Sequence, residues 1–165
     1  CRDLLENFGG HTYAAGLSLK EENLDAFTQR FLKLAADEII PEQMTPQIDI
    51  DAVLDLQDIN SKFMSELKKM NPFGPDNQKP VFCSLGVKDY GTSKLVGKDL
   101  EHIKLELIDD KSNTPIHGIA FGMRQHNTHI KNMKPFNICY TIEENTYNGN
   151  TSLQLMVKDI KENDI

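Results

Sequence analysis

The stretch Phe136-Asn137-Ile138-Cys139-Tyr140-Thr141-Ile142, the dipeptide Asn148-Gly149 and the stretch Leu153-Gln154-Leu155-Met156-Val157 decide how this chain folds. Both stretches alternate, and a strand points successive side chains to opposite faces, so a period of two puts one row inside and the other outside. Asn-Gly between two such runs is a strong hairpin signal, because a type I′ turn needs positive φ at both central residues. Working outward, Ile119, Phe121 and Met123 alternate with smaller residues, Ile103, Leu105 and Leu107 alternate with Lys104 and Glu106, and a further run starts at Val81. Five strands are predicted, at roughly 81–90, 102–109, 114–123, 136–145 and 151–160, with Phe82, Phe121, Phe136 and Tyr140 in their core.

A polar stretch from Arg124 to Asn132 falls between the third and fourth strands as a helical or irregular insert. Five strands with an insert after the third outline an OB-fold barrel. Upstream the period changes. Leu24, Phe27, Phe31 and Leu34 recur at helical spacing behind a candidate cap, Asn23, and predict a helix to about Ile39. Pro41 and Pro46 end it and mark a linker. Residues 1–8 read as the last turns of a helix stopped by Gly9-Gly10, and Leu17 with Leu19 as a short strand. Ile48 and Ile50 suggest another short strand, and Asn60 or Ser61 a cap for a helix carrying Phe63, Met64, Leu67 and Met70. Pro72, Pro75 and Pro80 then make a stiff connector. The expected class is α+β, with residues 1–45 and 46–165 as two domains.

Composition bounds the function. Hydrophobic content of 39% and charged content of 26% are ordinary for a globular chain. The net charge of −7 opposes whole-surface attraction to nucleic acid. The acids crowd the first 60 residues, however, and the stretch from Lys88 to Lys134 is locally basic. No apolar run is long enough to span a bilayer, so no membrane partner is expected. Cys1, Cys83 and Cys139 are odd in number and widely spaced, which fits a reducing, cytoplasmic setting better than a disulfide framework. His126 and His129 stand three apart with no cysteine or carboxylate nearby in sequence, so they read as a solvated pair and no metal site is expected. The chain opens without an initiator Met or a signal peptide and reads as an excised fragment.

Phe8-Gly9-Gly10-His11-Thr12-Tyr13-Ala14-Ala15-Gly16 carries a different signal. Glycines permit close backbone approach, and successive N–H groups can cup an anion beside a histidine donor. Gly9, Gly10 and His11 are therefore candidate phosphate-binding residues. An OB barrel grips single strands with a positive groove and exposed rings on which bases stack. Lys88, Lys94, Lys98 and Lys104 on or near the first two strands are candidate backbone contacts, with Arg124 flanking the insert; Tyr90 and Tyr147, at strand ends, are candidate stacking residues. No Gly-x-Ser-x-Gly elbow, Cys/His pairing or carboxylate–histidine cluster supplies a catalytic residue within the chain.

Four motifs carry a family resemblance. Gly9-Gly10-His11 with Ala14-Ala15-Gly16-Leu17 resembles the signature of the DHHA1 domain, which accompanies the DHH phosphoesterase domain. The segment from Asn71-Pro72-Phe73-Gly74-Pro75-Asp76 to Lys79-Pro80-Val81-Phe82, the strand Gly118-Ile119-Ala120-Phe121-Gly122-Met123, and the ending from Ser152 to Ile160 resemble the OB domain of the RecJ exonucleases. Order and spacing agree for all four. The resemblance implies a small α/β remnant of a DHHA1 domain in residues 1–45, followed by a five-stranded OB-fold barrel in 46–165. It implies the nucleic-acid-binding C-terminal region of a 5′–3′ single-stranded-DNA exonuclease of repair and recombination. Mn²⁺ or Mg²⁺ would sit in a DHH domain upstream of Cys1. Expected partners are single-stranded DNA and a single-strand-binding protein or helicase. The competing readings are an OB-fold protein-interaction module that recruits a repair partner, favoured by the acidic charge, and a small-nucleotide phosphodiesterase of the DHH group.

Overall fold

A computed structural model describes residues 1–112 and 114–162, with the side chain of Tyr147 outside that description. The chain forms two compact units, Cys1–Gln47 and Ile48–Ile165.

In the first unit a 3-10 turn, Arg2–Leu4, leads into strand β1 (Asn7–His11), which pairs antiparallel with β2 (Ala14–Ser18). The expected helix end at residues 1–8 is therefore corrected. Gly9 and Gly10 are extended strand residues, and Thr12-Tyr13 make the turn. The reason is steric. A Cβ on Gly10 would come within 2.8 Å of Ala14 O and Ala15 Cα, so glycine lets these strands meet, whereas Gly9 faces open space. Helix α1 (Leu24–Glu38) follows, with Phe27 and Phe31 stacked at 5.5 Å. Asn23 does not cap it; its Nδ2 donates instead to the Leu4 carbonyl at 3.2 Å. Arg30 donates to Asp3 at 2.6 Å and holds that carboxyl below its usual range. None of the residues 1–47 is buried.

The second unit runs β3 (Ala52–Val53), α2 (Ser61–Lys68), β4 (Phe82–Asp89), β5 (Lys94–Val96), β6 (His102–Ile108), β7 (Ile116–Ala120), α3 (Asn127–Lys131), β8 (Phe136–Tyr147) and β9 (Asn150–Glu162). Among the described residues seven strands, rather than the five expected, form one sheet in the order β3-β4-β8-β9-β7-β6-β5, and β4 also pairs with β6 through Lys88–Ile108 and Asp89–Leu107. The β8–β9 hairpin turns on Asn148 (φ 49°) and Gly149 (φ 79°), the two positive values a type I′ turn requires. Asn60 caps α2 by accepting the Phe63 N–H at 3.0 Å. Asn77 Nδ2 donates to the carbonyls of Met70 and Pro72 at 2.9 and 2.8 Å, which orders the proline-rich connector.

The core gathers Val87, Ile103, Leu105, Leu107, Phe136, Ile138, Tyr140, Ile142 and Leu155, with Phe63 and Met64 of α2 against it. Two polar ties bind the lead-in segment to the sheet. Ser84 Oγ donates to Leu54 O at 2.7 Å, which leaves Tyr140 Oη to donate to Ser84 Oγ, also at 2.7 Å. The Asp109 carboxylate accepts the Leu56 N–H at 2.7 Å. On β7 the expected facing is reversed. Gly118 and Ala120 are buried, and a Cβ on Gly118 would already sit 3.5 Å from the Leu105 Cβ. Small residues point inward because Leu105 and Leu155 fill the space, so Ile119 and Phe121 face outward, and Phe121 is 56% exposed rather than core. Among the described residues, no helix is long and apolar enough to cross a membrane.

Candidate nucleic-acid interface

Alternation on β6 buries Ile103, Leu105 and Leu107 and turns His102, Lys104 and Glu106 outward. β5, which was missed in the sequence, lies along its edge in a register that sets Lys94 directly opposite Lys104 and Val96 opposite His102. On the other side Lys104 faces Ile119 of β7, and Ile119 faces Met156 of β9. Directly opposed residues have Cβ atoms about 4.5–5.5 Å apart, and like charges so placed repel. Among the described residues, no acidic side chain lies within ion-pair distance of Lys94 or Lys104. The outer face of β5, β6 and β7 thus carries a pair of exposed cations with no ion-pair partner among the described residues, the nearest carboxylate on the same face of β6 being Glu106, one same-face step along.

Phe121 stands beside this pair, just past the end of β7. Its ring meets that of His102 at 4.9 Å and 75°. His102 Nδ1 accepts the Gly122 N–H at 3.0 Å, which fixes the ring and leaves the proton of the neutral imidazole on Nε2. Farther along the same face, Lys104, His117, Asn145, Ser152 and Gln154 line a hollow of about 340 Å³.

The other candidate residues are distributed differently. Lys88 is held by Asp110 at 3.3 Å. Tyr90 follows β4, half exposed, and donates its N–H to the Glu106 carbonyl at 2.8 Å. Lys98 is exposed in the turn after β5, and Arg124 is exposed in the insert between β7 and β8. The Tyr147 side chain lies outside the described residues. In the first unit, His11 Nδ1 accepts the Tyr13 N–H at 3.2 Å, so the neutral ring presents Nε2–H from an exposed position.

The pair His126 and His129 is not solvated, as the sequence suggested. Its side chains are 17% and 9% exposed, and their Nδ1 atoms face the two oxygens of Glu162 at 2.7 and 3.2 Å. His129 Nε2 donates to the Pro135 carbonyl at 3.1 Å. Glu162 is remote in sequence, so spacing could not reveal this tie between α3 and the end of β9. Asp89, also buried, accepts the Ser93 N–H at 3.1 Å and has Lys131 at 3.7 Å. Cys83 and Cys139 are opposed across β4 and β8 as free buried thiols, and burial pushes both above their usual range. No group of three or more His, Cys, Asp or Glu among the described residues is arranged to hold a metal ion.

Comparison with known proteins places the chain in a family. The chain is 29% identical over 160 residues to the single-stranded-DNA-specific exonuclease RecJ of Bacillus subtilis, covering 96% of this chain and 20% of that protein. It is 28% identical over 158 residues to the protein of the same name from Salmonella typhimurium, covering 96% of this chain and 27% of that protein. The chain therefore spans about a quarter or less of the length of these relatives. The fold is similar to that of Thermus thermophilus RecJ solved in complex with Mn²⁺, with a TM-score of 0.76 and 21% identity over 99% of this chain and 23% of that one. The same protein in complex with Mg²⁺ gives a TM-score of 0.74, with 20% identity over 99% of this chain and 24% of that one. The RecJ OB domain family matches residues 50–159, the greater part of the chain and all of the outer face just described, and the chain belongs to that family.

Proposed function

We propose that the chain is the strand-gripping C-terminal region of a RecJ-like 5′–3′ exonuclease acting on single-stranded DNA in repair and recombination. The observation that carries this reading is the opposed pair Lys94 and Lys104 on the outer face of β5 and β6, without acidic partners among the described residues. OB folds bind oligonucleotides on the face of their second and third strands, which in this reading are β6 and β7, and cations set against each other are relieved by phosphate. The β4–β6 pairing supports reading the sheet as an OB barrel, with β3 and β5 as additions at its edges. In this reading residues 1–45 are the end of a DHHA1 domain, whose Gly9, Gly10 and His11 offer the substrate phosphate a close backbone and the His11 Nε2–H donor. In this reading the phosphodiester chemistry, with Mn²⁺ or Mg²⁺, falls to a DHH domain in the intact protein; among the described residues no group of three or more His, Cys, Asp or Glu suits a metal pair.

The test is the salt dependence of binding to oligo(dT). Neutralising about three phosphates gives a log–log slope near −2, since a single strand releases roughly 0.7 counterion per contact. Replacing both Lys94 and Lys104 by Ala is expected to flatten the slope to about −0.7. A chain that folds yet shows no affinity at low salt would favour an interaction module that recruits a helicase or single-strand-binding protein, the reading that its net charge of −7 supports.

A further inference from the structure

We infer that Phe121 is the platform on which one unpaired base stacks, with His102 holding its ring and Lys94 and Lys104 receiving the neighbouring phosphates. This rests on the single-strand reading above and adds to it a specificity-determining residue. Three observations meet here. Phe121 is 56% exposed, although the chain has a well-filled core close by. Its orientation is imposed rather than free, because Gly118 and Ala120 occupy the inward positions of β7 and send odd-numbered residues outward. The ring also has a fixed wall: His102 stands at 75° to it and is itself pinned by the Gly122 N–H. The pinning leaves little slack, since a Cβ on Gly97 would lie 3.2 Å from His102 Cδ2.

The neighbourhood selects the ligand. His102, whose ring meets that of Phe121, lies one same-face step, about 6.6 Å, along β6 from Lys104, which faces Ile119. That step is the reach between a base and the phosphate of its own nucleotide. An apolar ring with free π-surface beside two repelling cations matches a nucleotide, which brings a flat ring and an anion together. Stacking of this kind accepts any base but requires it to be unpaired, so the same residue discriminates against duplex.

The experiment uses the chain as it stands and labelled oligo(dT), with an oligomer of the same length made of abasic units as its counterpart. Phe121→Ala is expected to weaken binding to oligo(dT) about 5- to 100-fold with the salt slope unchanged, because stacking is not ionic. Phe121→Trp is expected to restore binding. Phe121→Leu keeps apolar contact with His102 but lacks the π-face, and is expected to behave like the Ala variant. On the abasic oligomer all four proteins should bind alike. Wild-type binding to oligo(dT) with Phe121→Ala and Phe121→Leu within two-fold of it would overturn the platform while leaving the single-strand reading intact. An equal loss on the abasic oligomer would also overturn it, by showing that the residue acts through folding. Absence of any wild-type binding would overturn both.

Discussion

Residues 1–47 and residues 48–165 are built from equally regular patterns, yet the first unit buries none of its residues and the second encloses Val87, Ile103, Leu105, Leu107, Phe136, Tyr140, Ile142 and Leu155 completely. Helix α1 has an apolar stripe as clear as any strand in the chain, but Phe31 remains 54% exposed and Leu24 51%. Amphipathic pattern states which face wants cover; burial needs a second layer of matching size. A two-stranded hairpin and one helix are too small to supply it, whereas in the second unit a large sheet and helix α2 share one core.

The largest effect expected from this contrast is in the core. Leu105→Ala should cost about 2–5 kcal/mol of unfolding free energy, through lost transfer energy and a cavity among Leu107, Gly118 and Leu155. Phe31→Ala should cost less than about 1 kcal/mol, because over half of the side chain is already in water. Denaturant titrations of the two variants beside wild type decide it. Similar losses would mean that the first unit has a core after all.

A smaller effect sharpens the account of how the second unit is closed. Burial works against the Asp109 carboxylate, yet the N–H groups of Leu56, Lys111 and Ser112 and the Ser112 hydroxyl outweigh it and hold its pKa below the usual 3.8. Asp109→Ala leaves the Leu56 N–H without that partner and should cost about 1–3 kcal/mol at neutral pH. The sign follows from the depressed folded pKa. The carboxylate's contribution is full above the unfolded value near 3.8 and is lost as pH falls through the lower folded value. The stabilities of variant and wild type should therefore converge in acid; a gap that stays constant down to strongly acidic pH would assign the loss to packing instead.

The same contrast explains what could be read from the sequence. β6 and β9 are legible because one face of each is more deeply buried than the other, which is the condition under which a period of two appears; β8 is buried on both faces from Ile138 to Ile142, and its period shows only because Cys139 and Thr141 are smaller and more polar than Ile138, Tyr140 and Ile142. The turn at Asn148-Gly149 was legible because its chemistry is local. β5 was not, since three residues are too few to show a period, and it carries Lys94. The β1–β2 hairpin was missed because Gly and Ala have no alternation to show, and the close approach at Gly10 is a property of two strands together. Phe121 was assigned to the core by size, whereas the space inside β7 was already taken by Leu105 and Leu155. Of the interface, Lys94 and Lys104 were nominated among several lysines, but their opposition across two strands needed the register.

Helices α1 and α2 offer the smallest and most local comparison. Both begin after an asparagine. Asn60 takes an extended backbone, φ −132° and ψ 177°, and its side chain accepts the Phe63 N–H. Asn23 is helical, φ −95° and ψ −6°, because the 3-10 turn Glu21–Asn23 runs straight into α1, and its side chain is spent on the Leu4 carbonyl. A capping side chain satisfies one of the orphan donors of the first turn, so Asn60→Ala should cost about 1 kcal/mol. Asn60→Ser should recover most of it, because a hydroxyl can accept the same N–H. Asn23→Ala removes a half-exposed hydrogen bond and should cost about 0.5 kcal/mol, with Asn23→Ser no better than Ala, since there is no capping role to restore. Helix content by circular dichroism and the denaturation midpoint of each variant read the difference. Rescue by Ser at position 23 as well as at 60 would show that α1 starts at a true cap, and that the first unit is organised at its helix terminus much as the second is.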